Sequence, residues 1–260
     1  MQRVLMVGCG KMGGAILRRW ASLQGTVFTV VDPALDEPPA GASLYKSRSD
    51  LPDTLFDVVV LAVKPQMMAD VAPGYIDLRE QGGVFASIAA GTSIETLEEI
   101  LGDAPVIRIM PNLPAEIGKG VTGLYANERA SEPNKALVET LVRRIGEVVW
   151  VPSEDALDRF TAIAGSGPGY VFEIAREYIA AARRLGFSDD DARTMVLGVM
   201  RGSVELALER GEDVETLRDA VTSKNGTTEA GLNELMRAGA LRSLFATTTE
   251  AAYARAVELR

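Results

Sequence analysis

The first half of the chain alternates short apolar runs with amphipathic stretches. Apolar runs at Arg3–Val7, Val27–Val31, Val58–Ala62, Val84–Ile88 and Val106–Met110 predict strands. Between them, helical spacing predicts helices over Met12–Leu23, Pro65–Leu78, Ile94–Leu101 and Glu132–Arg144. The run Val58-Val59-Val60-Leu61-Ala62-Val63 is continuously apolar, which fits a strand buried on both faces of a parallel sheet. Shorter runs at Val121–Tyr125 and Glu147–Val151 extend the sheet edge. The segment Asp32–Ala42, rich in Pro and Ala, is too broken for a full crossover helix. Beyond Pro152-Ser153 strand signals stop and helical spacing takes over. The expectation is an α/β fold, a doubly wound, mostly parallel sheet over residues 1–151, followed by an all-α region over 152–260.

One helix in that second region changes the picture. Ser188 is a good N-cap, and Asp189, Asp190 and Asp191 suit the positive end of a helix dipole. Ala192, Met195, Val196, Val199, Met200, Leu206 and Ala207 follow helical spacing, while Leu197 and Val204 lie off that face. A helix apolar on more than one side wants cover on both, either within its own domain or, as expected here, at a subunit interface.

Composition narrows the chemistry. The 260 residues are 47% hydrophobic and 24% charged, ordinary for a globular protein, and the net charge of −9 argues against a nucleic-acid surface. No run reaches membrane-spanning length, and the first strand enters a glycine loop too early for a signal peptide. Cytoplasmic residence is the expectation. Cys9, the only cysteine, excludes an intrachain disulfide and reads as a small filler. Histidine is absent, which removes histidine acid/base and triad machinery and, with one cysteine, argues against a dedicated zinc site; no metal ligands are expected.

The first strand runs into Gly8-Cys9-Gly10-Lys11-Met12-Gly13, and a carboxylate, Asp32, closes the second strand 19 residues later. The three glycines serve different ends. Gly8 permits a tight turn, Gly10 allows close approach of a pyrophosphate, and Gly13 allows close helix packing. Phosphates would rest on free N–H groups at the helix start. Together these point to a dinucleotide. In an open parallel sheet ligands lie beyond the carboxyl ends of strands, where Ala62-Val63-Lys64-Pro65 and Ala89-Ala90-Gly91-Thr92 emerge. Lys64 is either a ligand contact or a solvated loop lysine. Asn112, in Met110-Pro111-Asn112, either meets a ligand or shapes the turn, the turn being favoured.

The helical region holds two further loops. Gly165-Ser166-Gly167-Pro168-Gly169-Tyr170 leads into a helix, with Pro168 well placed in its first turn. Val221-Thr222-Ser223-Lys224-Asn225-Gly226-Thr227-Thr228 gathers hydroxyls and N–H groups at a helix start that continues through Leu235, an arrangement suited to an anion. A plain N-cap accounts for Thr227 or Thr228 alone, not for the whole cluster.

Taken in order, the glycine loop, Ala62–Pro65, Met110–Asn112, Gly165–Tyr170 and Ser223–Thr228 resemble pyrroline-5-carboxylate reductases over nearly the whole chain. The last two motifs are the specific ones. The resemblance implies a Rossmann-type domain, then a helical domain that interlocks two subunits into a homodimer, and allows a higher assembly of dimers. It implies reduction of Δ1-pyrroline-5-carboxylate to L-proline with NADH or NADPH. Ser223, Gly226 and Thr227 would hold the substrate carboxylate, and Thr228 would bond the ring nitrogen. A cyclic imine can arrive protonated, so a chain without histidine suffices, working mainly by positioning. Where the family has Ser-Pro-Gly-Gly-Thr-Thr, this chain has Lys224-Asn225 after Ser223. Asn tolerates a left-handed backbone, so the turn is expected to survive. Leu113 and Gly169 also depart from the family's Thr and Ala.

Asp32 favours NADH, because a carboxylate accepts from ribose hydroxyls and repels a 2′-phosphate. Pro33 and Ala34 offer that phosphate no side-chain donor, though Lys46 and Arg48 would soften the repulsion if their loop folds over the adenine end. Asp32 as a simple turn-former is the alternative. The chain also has the two-domain plan of the β-hydroxyacid dehydrogenase family, but resemblance to that family implies a lysine in the helix after the second glycine loop, and Gly165–Leu185 holds none, which disfavours it. A reductase of another cyclic imine, or a non-enzymatic nucleotide-binding regulator, stays open.

Overall fold

A computed structural model describes residues 1–38 and 41–260. The chain forms two compact units, Met1–Pro168 with Ala252–Arg260, and Gly169–Ala251. The first holds one eight-stranded sheet: β1 (Gln2–Val7), β2 (Thr26–Val31), β3 (Ala42–Tyr45), β4 (Val58–Leu61), β5 (Val84–Ser87), β6 (Val106–Met110), β7 (Gly120–Ala126) and β8 (Gly146–Trp150). Their order is β3-β2-β1-β4-β5-β6-β7-β8. All neighbours are parallel except β6 and β7, which run antiparallel.

Alternation along the strands sorts the core into two faces. Val4, Met6, Val30, Val58, Val60, Val84 and Ile107 meet Ile16, Leu17 and Trp20 of α1 (Lys11–Trp20). Leu5, Val7, Val59, Leu61 and Phe85 meet Met68 of α2 (Met68–Val71), together with Leu97 and Leu101 of α3 (Ile94–Leu101). Because both faces are covered, the central strands read as unbroken apolar runs. On the first face α4 (Glu132–Val142) is tied in by Trp20, whose Nε1–H donates to the Leu141 carbonyl at 2.7 Å.

Three expectations need correction. The helix foreseen over Pro65–Leu78 is a 3₁₀ turn, Pro65–Met67, the single turn of α2, and a 3₁₀ stretch, Ala72–Gln81. Pro73 lacks the N–H and blocks the preceding carbonyl that a continuous α-helix would need. The helix foreseen over Met12–Leu23 ends at Trp20, with Ala21 as its cap. β3 was not foreseen: it is a four-residue edge strand paired on one side only and without a buried residue. No described residue between β2 and β3 is helical, as expected for Asp32–Ala42, of which Pro39 and Ala40 lie outside the described residues.

Compactness does not divide the chain at 151/152. The helix α5 (Glu154–Phe160) packs on β7, where a Cβ at Gly123 would lie 2.6 Å from the Phe160 ring and 2.9 Å from Leu157 Cδ1. A π-helical turn, Thr161–Gly165, follows α5 and belongs to the same unit.

The helices beyond are α6 (Gly167–Arg184), α7 (Asp189–Arg210), α8 (Val214–Ala220), α9 (Thr227–Leu235) and α10 (Ala240–Glu258). Ser188 caps α7 as expected, its Oγ accepting from the Asp191 N–H at 3.2 Å. The second unit's own core is small: Ala182, Ala192 and Val196, with Ile179 and Met200 against them. Val204 (59%) and Leu208 (79%) of α7 stand exposed.

Candidate functional site

Four strands end level, since Val7 pairs with Val31 and with Leu61, and Leu61 with Ser87. Their carboxyl ends therefore form one rim carrying the glycine loop, Asp32, Ala62 and the loop after β5. Gly8 has φ +80°, and a Cβ there would meet Val63 Cγ1 at 2.9 Å and the Ala62 carbonyl oxygen at 3.0 Å. At Gly13 a Cβ would press on Ala62 Cβ at 3.2 Å, so glycine lets α1 sit close to β4. Around Gly10, by contrast, a Cβ would find nothing within 4 Å. Gly10 is also the N-cap of α1 and supplies no side-chain acceptor, so the first N–H groups of the helix have no side-chain cap. Open space facing free N–H donors suits a pyrophosphate.

A cleft of about 350 Å³ opens on this rim. Gly8, Cys9, Gly10, Asp32, Ala62, Val63 and Lys64 line it. Lys11, Met12, Gly13, Pro65, Ala89 and Ala90 are outside the lining: Gly13 packs against Ala62, and Ala89 and Ala90 follow the neighbouring β5. Val71 and Tyr75 also form its wall, and only their apolar spacing would have pointed to them.

Asp32 ties this rim together. Its Oδ2 accepts the Cys9 N–H at 2.7 Å and its Oδ1 accepts the Ala34 N–H at 2.9 Å. The carboxylate is thus a turn-former and a brace for the glycine loop, while still facing the cleft. Lys46 and Arg48 are engaged elsewhere: Lys46 donates to the Leu35 carbonyl at 2.6 Å, and Arg48 pairs with Asp77 at 2.7 Å. Cys9 is buried, and burial, then the Asp32 charge, pushes its thiol up against a smaller opposing pull from Arg18. That suits a filler and not a nucleophile. Asn112 shapes the turn, as favoured: its Oδ1 accepts from Val121 N–H at 3.0 Å and its Nδ2 donates to the Ala164 carbonyl at 2.9 Å. Among the described residues no cluster of His, Cys, Asp and Glu could hold a metal, and no helix is long and apolar enough to cross a membrane.

In the second unit, the turn before α9 brings Ser223, Gly226, Thr227 and Thr228 together. Asn225 has φ +60°, the left-handed conformation its side chain tolerates, so the turn survives with Asn225 in place of the first glycine of the pair. The Gly226 N–H donates to the Ser223 carbonyl at 3.0 Å, and a Cβ on Gly226 would lie 2.4 Å from Ser223 Oγ. Glu229 reaches back to accept the Asn225 N–H at 2.7 Å. Gly226 is the N-cap of α9, which makes Thr227 and Thr228 its first two helical residues and not its caps.

Comparison with known proteins extends this picture. A family model described as pyrroline-5-carboxylate reductase dimerisation matches residues 154–259. A second, NADP oxidoreductase coenzyme F420-dependent, matches residues 3–91. The chain is 37% identical to a pyrroline-5-carboxylate reductase of Pseudomonas aeruginosa, covering 99% of this chain and 96% of the relative. A solved pyrroline-5-carboxylate reductase of Coxiella burnetii superposes with a TM-score of 0.91 at 33% identity, covering 98% and 97% of the two chains. The Plasmodium falciparum pyrroline carboxylate reductase, solved with NADP bound, shares the fold with a TM-score of 0.86 at 24% identity over 99% and 98%.

Proposed function

Because this chain belongs to the pyrroline-5-carboxylate reductase family, we propose a role for each part of its site. The protein is an oxidoreductase that reduces the C=N bond of Δ1-pyrroline-5-carboxylate to L-proline, the last step of proline biosynthesis, with a nicotinamide dinucleotide. When bound, the reduced nicotinamide supplies the hydride. The open space at Gly10 beside free helix N–H groups fits the pyrophosphate of that cofactor. Gly8, Cys9, Gly10, Lys11, Met12 and Gly13 would hold the pyrophosphate, Asp32 the adenosine ribose, and Ala62–Pro65 with Ala89 and Ala90 the nicotinamide half.

Ser223, Gly226 and Thr227 would hold the substrate carboxylate, and Thr228 would bond the ring nitrogen as the catalytic contact. One observation carries this assignment. Gly226 is the N-cap of α9 and gives its first turn no side-chain cap, so uncapped N–H groups stand beside the Thr227 and Thr228 hydroxyls, donors suited to a carboxylate and a ring nitrogen. A substrate imine that arrives protonated needs no strong acid from the protein, consistent with a chain that lacks histidine.

NADH is the preferred cofactor in this proposal. The Asp32 carboxylate faces the cleft, and neither Lys46 nor Arg48 is among the residues lining it to offset its charge. The dimerisation domain completes its fold against a second copy, giving a homodimer that resides in the cytoplasm. The test is a spectrophotometric assay of reduced-cofactor oxidation with pyrroline-5-carboxylate, with other cyclic imines and a hydroxy acid alongside. Turnover confined to pyrroline-5-carboxylate is expected. Turnover of another imine or of the hydroxy acid in its place would reject the assignment.

A further inference from the structure

The residues after α10 lie against the loop that follows β5. Gly91 has φ +76°, and a Cβ there would sit 2.3 Å from the Leu259 carbonyl oxygen. Next to Leu259, Arg260 brings Nη1 to 3.1 Å from Asp158 Oδ2. Asp158 is 4% exposed, a depth at which a carboxylate needs a counter-charge. One turn earlier on α5, Glu154 Oε1 accepts from Arg108 Nη1 and from the Ile94 N–H, both at 2.7 Å. Ile94 opens α3, directly after the loop. The segment from Ala89 to Ser93 is therefore gripped at Gly91 by the Leu259 backbone and at its end by Glu154. Burial pushes Asp158 above the ordinary carboxylate value; Arg260 is the strongest charge opposing that rise, followed by Arg108, while Glu154 and Asp155 add to it. Tyr253 of α10 donates to Asp155.

This loop stands where the reacting half of the cofactor belongs. With Asp32 after β2 at the adenosine ribose and the β1 loop at the pyrophosphate, a dinucleotide crossing the strand order β2-β1-β4-β5 ends beside Ala89 and Ala90. We propose that Arg260, paired with Asp158, is a positioning residue that holds Leu259 on Gly91 and so sets the Ala89-Ala90-Gly91 loop for the nicotinamide end of the cofactor. The proposal rests on the cofactor assignment given above.

The experiment compares the parent protein with Arg260→Ala, Arg260→Lys and Gly91→Ala. Hydrogen–deuterium exchange of the loop is read without turnover, and KM for reduced cofactor and kcat are read with it. Arg260→Ala is expected to speed exchange over residues 89–93 about fivefold, the factor of one modest ion pair. KM for reduced cofactor should rise by a similar factor with kcat within about twofold. Arg260→Lys keeps the charge and should recover most of both effects. Gly91→Ala, which displaces Leu259 from the other side, should speed exchange in the same segment. Unchanged loop exchange, faster exchange spread evenly over the first unit, or no recovery with lysine would overturn the proposal. If the parent protein oxidises no reduced cofactor, the cofactor assignment fails, and the exchange result separately decides whether Arg260 holds the loop.

Discussion

Thr228 and Asp32 each had a modest alternative role in the sequence, and the geometry treats the two differently. Thr228 is not a helix cap, since Gly226 holds that position. Thr228→Ala should therefore leave α9 intact and lower turnover, with cofactor affinity near wild type. The expected loss is on the order of 1 kcal/mol, larger if the bonded nitrogen is charged. Steady-state kinetics and cofactor titration check this, and unchanged kcat/KM for the imine would exclude the assigned contact. Asp32 is a turn-former, its two oxygens bracing Cys9 and Ala34, and it lines the cleft where the proposed ribose contact would be made. A phosphate about 4 Å from it would be repelled by up to ~4 kcal/mol in a partly exposed setting. Asp32→Ser should shift the ratio of specificity constants toward NADPH and also weaken binding of both cofactors, since the Cys9 N–H loses its acceptor. A wild-type preference for NADPH, or no shift in the variant, would sink the proposed preference. The charge of Asp32 was visible in the sequence; its bond to Cys9, 23 positions away, was not, because no local pattern encodes it.

Among the elements, Asn112 shows how a polar residue outside any helix or strand organises several of them. It is 7% exposed and joins β7, through Val121, to the π-helical turn, through Ala164. Asn112→Ala leaves a half-buried N–H and a half-buried carbonyl without this partner, which should cost on the order of 1 kcal/mol. Urea denaturation would measure it, and an unchanged midpoint would show that both groups find substitutes. The central strands and α3 were legible because their burial is set by local period: two-sided cover gives unbroken apolar runs, and α3 was foreseen over its full length, Ile94–Leu101. The segment after Lys64 was not. Its apolar spacing suited a helix, but Pro73 forbids one continuous helix, and the chain settles for a single α-turn between 3₁₀ stretches.

For the protein in full, the second unit sets the clearest demand. Its buried cluster is three residues, Ala182, Ala192 and Val196, while Val199, Val204 and Leu208 of α7 are 54%, 59% and 79% exposed. So small a core does not support a unit of this size, and apolar surface on this scale marks an interface. The protein should sediment as a dimer or larger at micromolar concentration. A charged pair such as Val204→Glu with Leu208→Glu should drive dissociation and loss of activity together. A stable monomer in the wild type would contradict the expectation.

Local pattern was enough to specify the sheet, its two covered faces, the glycine loop and the hydroxyl turn before α9. Each depends on residue period or on backbone conformations that only particular residues adopt, as Asn225 shows at φ +60°. Long-range contacts settled the rest: the edge strand β3, the attachment of α5 and the π-helical turn to the sheet unit, the bond from the Cys9 N–H to Asp32, and the return of Leu259 to Gly91. These join positions far apart in the chain. Their free energy comes from burial and pairing that exist only once the backbone has closed, so no pattern along the sequence announces them.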